Sequence, residues 1–126
     1  MSDLVCIMVV DDEIINQEIL AEYIEEAGMV PYRCTSAEAA WLVLKSTPER
    51  FKAILLDIML PQVSGLELLS QLKADDDLKS IPVILQSSKA NRVEVDRGLE
   101  LGAFRYVTKP YTQEQILEAV NAALEV

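Results

Sequence analysis

The stretch AILLDIML, Ala53–Leu60, decides the fold. Four apolar residues run without a break into one carboxylate, Asp57, and a short continuous run of this kind reads as a strand covered on both faces. A buried, unpaired carboxylate is costly or takes up a proton, so Asp57 at the end of such a strand needs a reason beyond packing.

Outward from this strand, the chain alternates short apolar runs with longer segments of helical period, the rhythm of βαβ units. Leu4–Val10, Val30–Cys34, Ala53–Leu56, Pro82–Gln86 and Phe104–Thr108 read as strands, and the first, third and fourth are apolar enough to form the centre of a parallel sheet. Ile15, Ile19, Tyr23 and Ala27 recur at helical spacing, as do Leu66, Leu69 and Leu72, and then Ile116, Val120, Ala123 and Leu124. Each set is expected to lay an apolar stripe on the sheet. Gly28 is placed to close the first helix and Gly102 the fourth, while Thr35 with Glu38 and Thr112 with Gln115 have capping-box spacing. The fold class is therefore α/β, a doubly wound sheet of five strands with five helices, and residues 1–126 are the size of one domain.

Composition excludes several functions. Twenty-one acidic residues against 11 basic ones, with no histidine, give a net charge of −10, which repels a phosphate backbone, so direct nucleic-acid binding is not expected. Cys6 and Cys34 lie in apolar runs and read as reduced core thiols. The run Leu4–Val10 is too short to span a bilayer and ends in Asp11-Asp12-Glu13, so no membrane insertion is expected and the protein reads as cytoplasmic. Asp75-Asp76-Asp77 lacks the glycine and glutamate of a calcium loop and reads as a solvated connection; Trp41 reads as a packing residue.

In an open α/β sheet, ligands bind beyond the carboxyl ends of the strands. Asp11 and Asp12 follow the first strand, Asp57 the third, Ser87 and Ser88 the fourth, and Lys109-Pro110 the fifth. Each residue alone is ordinary loop chemistry; three carboxylates, a hydroxyl and an ammonium on one edge are not.

These residues resemble the receiver domains of two-component response regulators, the CheY-like family, over nearly the whole chain. The likeness rests on VVDDE with Asn16, LLDIMLPQVSG (Leu55–Gly65), IPVILQSS (Ile81–Ser88) and GAFRYVTKPY (Gly102–Tyr111). It implies the flavodoxin-like strand order 2-1-3-4-5 and a phosphorelay role as a phosphoprotein: Asp57 as phosphoryl acceptor, Asp11 and Asp12 as the acidic pair for Mg2+, with Asp57 and the Met59 backbone carbonyl completing the set. Ser87 becomes the switch hydroxyl, Lys109 the fixed cation and Tyr106 the switch aromatic, and Lys109-Pro110 resembles the family's cis peptide. The implied partners are a histidine kinase or histidine phosphotransfer protein and a downstream protein target, met on the face of the fourth helix, fifth strand and fifth helix; the resemblance also allows a homodimer formed on phosphorylation. Poor helix formers at Val93, Val95 and Gly98 make that fourth helix readily biased between two arrangements.

Physical chemistry points the same way. Two carboxylates about 4 Å apart repel by roughly 4 kcal/mol at an effective dielectric near 20, and a hard divalent cation relieves this. Met59 and Lys89 flank the expected path of attacking water and would set the lifetime of an aspartyl phosphate. The alternatives are a phosphorylation-independent receiver-like binding module, an aspartyl-phosphate phosphatase of the haloacid dehalogenase type, and a flavodoxin-like nucleotide binder. The phosphatase wants a second aspartate where Met59 stands, and the nucleotide binder a phosphate loop where Asp11-Asp12-Glu13 would repel one. The chain is expected to catalyse only its own modification, either as a stand-alone signalling protein or as part of a longer one.

Overall fold

The computed structural model describes residues 4–88 and 92–125. Five parallel strands, β1 (Cys6–Val10), β2 (Val30–Cys34), β3 (Phe51–Asp57), β4 (Val83–Ser88) and β5 (Arg105–Lys109), form one sheet in the order β2-β1-β3-β4-β5. Five helices connect and cover them: α1 (Ile14–Glu26), α2 (Ala37–Ser46), α3 (Gly65–Ala74), α4 (Arg92–Leu101) and α5 (Gln113–Leu124). The three apolar strands are the central ones, as their composition requires.

Alternation along β1 shows how the layers divide. Cys6, Met8 and Val10 face a core shared with α2, α3 and α4, while Ile7 and Val9 face one shared with α1 and α5. The α3 stripe packs as its spacing requires: Leu66, Leu69 and Leu72 are buried, each contributing about 2 kcal/mol of apolar burial, and Leu68 is buried beside them. Ile116, Val120 and Ala123 of α5 are buried on the opposite layer. Cys6 and Cys34 are buried free thiols, and burial pushes Cys34 up to about 11.

The expected stripe of α1 is out of phase. Ile15 is 75% exposed and Ile19 40% exposed, Ala27 is also exposed and Tyr23 only half-buried; the buried face is Gln17, Leu20, Ala21 and Ile24. The cause is polar. Gln17 Nε2 donates to the carbonyls of Asp11 (3.1 Å) and Cys34 (2.8 Å), and its Oε1 accepts from Arg33 Nε (2.8 Å). An amide placed to satisfy the carbonyl ends of two strands belongs inside, and it turns Ile15 and Ile19 outward.

Helix ends follow the sequence with one shift. Gly28 (φ +83°) and Gly102 (φ +114°) adopt the left-handed conformation, and the bonds Gly28 N–H to Glu25 O and Met29 N–H to Ile24 O close α1 in a Schellman motif. Thr112 and Gln115 form the capping box of α5, but α2 is capped by Ser36, whose hydroxyl accepts from Ala39 N–H, and not by Thr35. The strands β3, β4 and β5 run one or two residues further than expected, so Asp57, Ser87 and Lys109 lie within strands and not just after them. On the outermost strand, Val30 N–H donates inward to Val5 O (2.8 Å), which turns the next position, Pro31, to the open side.

Candidate functional site

Parallel register brings the strand ends together. Asp11, fully buried, follows β1 directly; Asp57, 3% exposed, ends β3; Ser87 is buried in β4; Lys109 ends β5. One oxygen from each of Asp11, Asp12 and Asp57 lies within 4.8 Å of the others, with Asp12 on the solvent side. Lys109 Nζ reaches Asp57 Oδ2 at 2.9 Å, Glu13 Oε1 at 3.8 Å and Asp11 Oδ2 at 3.9 Å. The Met59 N–H donates to Asp57 Oδ1 at 2.9 Å, so both oxygens of Asp57 are held.

The chain around Asp57 is shaped to make this possible. Gly65 opens α3 against the backbone of Asp57, where a Cβ would lie 2.1 Å from the Asp57 carbonyl oxygen, and its N–H donates to Ile58 O (3.0 Å). Gln62, in the loop between, sits at φ 64°, a conformation that costs about 1 kcal/mol for a residue with a side chain. The Lys109-Pro110 peptide is cis.

Burial pushes the Asp57 carboxyl above its ordinary value, against the opposing pull of Lys109 and the Met59 amide. Burial pulls Lys109 down, but its bond to Asp57 and the charges of Asp57, Asp11 and Glu13 together outweigh it and hold the ammonium above its usual range. At 4.8 Å two carboxylates still repel by about 3 to 4 kcal/mol at an effective dielectric near 20, and one ammonium does not neutralise three of them. An oxygen-only set of this charge fits a hard divalent cation such as Mg2+, which takes one or two carboxylates and keeps several waters.

A group of residues joins the site to which the sequence reading gave no role. Glu13 lies beside Lys109, and Asn16 Nδ2 donates to Asp11 Oδ2. Gln86, fully buried next to Asp57 across the sheet, accepts from Asn16 Nδ2 (3.2 Å) and from the Tyr111 hydroxyl (2.9 Å). Burial pushes the Tyr111 phenol well up, so it stays a neutral donor. One signal was available: a lone glutamine interrupting the apolar run of an inner strand.

The response regulator receiver domain family model matches residues 7–121. The chain belongs to this family. It is 37% identical over 122 residues to the phosphate regulon transcriptional regulatory protein PhoB of Pseudomonas aeruginosa, covering 94% of this chain and 51% of PhoB, so the receiver spans about half of that relative. Against the polar-differentiation response regulator DivK of Brucella anthropi it is 34% identical over 119 residues, covering 94% of each. A putative response regulator from Chloroflexus aurantiacus, 22% identical, superposes with a TM-score of 0.92 over 98% of this chain and all of that one, a likeness of fold. As a receiver domain it is a signalling module.

On the receiver's flank, Tyr106 is 37% exposed on β5 and shares with Ser87, Arg92 and Val95 a cavity of about 240 Å³. The expected switch hydroxyl and aromatic thus border one space. Lys89 lies outside the described residues. Asp75-Asp76-Asp77 lies in the loop expected after α3, with Asp76 and Asp77 exposed; Asp75, at the C-cap, accepts from Lys45 Nζ at 2.7 Å, and Trp41 packs against the core.

Proposed function

We propose that this receiver accepts a phosphoryl group on Asp57 from a phosphohistidine of a histidine kinase or histidine phosphotransfer protein, with Mg2+ bound. The observation that carries the reading is the Asp57 carboxylate, fixed by Lys109 at 2.9 Å and by the Met59 amide, beside two further carboxylates. Asp57 attacks phosphorus with one oxygen while the N–P bond of a ring-protonated phosphohistidine breaks; the electron pair returns to that ring nitrogen, and the imidazole leaves neutral because its other nitrogen keeps its proton. Lys109 holds the nucleophile in place and neutralises charge gathering on the phosphoryl oxygens. Asp11, Asp12, Asp57 and the Met59 carbonyl would hold Mg2+, which supplies Lewis-acid stabilisation of those oxygens.

Exposed Ile14, Ile15 and Ile19 on α1 give a protein donor apolar ground beside the strand ends, and they support a protein over a small metabolite as the physiological source. Once the phosphoryl group is in place, Ser87 donates to it and Tyr106 turns into the shared cavity, altering the face of α4, β5 and α5 for a protein target. Among the described residues no helix is long and apolar enough to cross a membrane, in keeping with a cytoplasmic role.

Intact mass after incubation with a small phosphodonor tests this, with Mg2+ or chelator, on wild type and Asp57→Asn. One phosphoryl increment that needs Mg2+ and vanishes in Asp57→Asn is the expected result; no increment in folded protein would leave a phosphorylation-independent binding module.

A further inference from the structure

The cluster behind Asp11 cannot pair all of its polar groups. The Tyr111 hydroxyl lies 2.8 Å from Asn16 Oδ1 and 2.9 Å from Gln86 Oε1, yet it has one proton to give, and Gln86 Nε2 has no partner among the described residues. Turning the Gln86 amide over would give Nε2 a partner in Tyr111 but set it 3.2 Å from Asn16 Nδ2, donor against donor. Neither orientation satisfies the glutamine. On an inner strand, where its neighbour on the same face is Ile84, an apolar side chain would serve stability better.

What the glutamine does hold is Asn16. Gln86 from β4 and Tyr111 from the loop before α5 grip the amide of Asn16, and that amide donates to Asp11 Oδ2, while the Glu13 N–H at 2.9 Å holds Asp11 Oδ1. We infer that Gln86 and Tyr111 are positioning residues which, through Asn16, fix the Asp11 carboxylate in the orientation that a small, geometrically strict divalent cation requires. This rests on the reading of the acidic cluster as a cation site. It assigns the polar pair a role in choosing the ion: Mg2+ demands near-ideal octahedral geometry, whereas Ca2+ tolerates a loose carboxylate.

Calorimetric titration of the full chain with MgCl2 and with CaCl2 tests the assignment, on wild type, Gln86→Leu, Tyr111→Phe and the double variant, with urea unfolding of each. Both single variants are expected to lose Mg2+ affinity about tenfold with Ca2+ affinity nearly unchanged, and the double variant to lose little more than either, because both act through one asparagine. Gln86→Leu should unfold no earlier than wild type. An unchanged Mg2+ to Ca2+ affinity ratio in both single variants overturns the inference while leaving the cation site standing. Wild type that binds neither ion at millimolar concentration overturns both.

Discussion

Gly65→Ala probes the geometry on which the acceptor reading depends. The added Cβ would sit 2.1 Å from the Asp57 carbonyl oxygen and 2.9 Å from Asp57 C and Ile58 Cα, and all three are backbone atoms that no rotamer can remove. Relief requires α3 and the end of β3 to part by about 1 Å, an overpacking cost at the upper end of the usual range of about 1–3 kcal/mol. Separation also stretches the Gly65 N–H bond to Ile58 O, worth about 1 kcal/mol, while the less flexible unfolded chain returns about 0.5–1 kcal/mol. The net expectation is a loss of about 3 kcal/mol, read as a lower urea midpoint at unchanged slope. Because Asp57 shares the displaced backbone, phosphoryl acceptance should fall about 100-fold, the usual scale for an ångström of misplacement. Gly28→Ala is the control: it also stands at positive φ, but its Cβ meets nothing within 4 Å, so only about 1 kcal/mol of backbone strain is expected. A Gly65→Ala protein within about 0.5 kcal/mol of wild type, or no worse than Gly28→Ala, would refute the reasoning.

Asp57→Asn should be more stable than wild type at pH 7. The native carboxyl is held above its unfolded value by burial, so wild type loses stability as pH rises from the ordinary carboxylate range through the native value; the advantage of asparagine should vanish below that range, which denaturation at a series of pH values will show. Lys109→Met leaves Asp57 and Asp11 without their cation and should cost about 3 kcal/mol in chelator, with part of the loss recovered in millimolar MgCl2 as measured by urea midpoint. With its thiol pushed up to about 11, Cys34 is thiolate in about one molecule per thousand at pH 8, so a disulfide reagent should leave it untouched in native protein and titrate it at once in denaturant; rapid native labelling would contradict its burial.

The sheet was legible because its three inner strands are covered on both faces and carry almost nothing but aliphatic side chains. The phase of α1 was not. Hydrophobicity puts Ile15 and Ile19 inside and Gln17 outside, but the Gln17 amide bonds the carbonyls of Asp11 and Cys34, and only the folded sheet shows that they end beside one helix. The cap of α2 was misplaced by a single residue because Thr35 and Ser36 offer the same hydroxyl, and the backbone angle at Ser36 decides between them. At the strand ends, Asp11, Asp12, Asp57, Ser87 and Lys109 could be named because motif order and strand position coincide. Glu13 and Tyr111 are ordinary by themselves, Asn16 was named only as part of a motif, and Asn16 meets Gln86 across 70 positions of sequence only once the helix is seated over the sheet.

Pro31 sets a limit on how this sheet can grow. It occupies one of the two outward-facing positions of a five-residue border strand, where any residue but proline would offer a free N–H to an incoming chain. An added strand would find that donor missing at the second of five positions, so edge-to-edge stacking through β2, the usual route from an open parallel sheet to insoluble aggregates, is interrupted near its start. Any contact between copies of this chain on that side is thereby directed to side-chain surfaces, where contacts can be made and undone, and away from a backbone zipper that would not release.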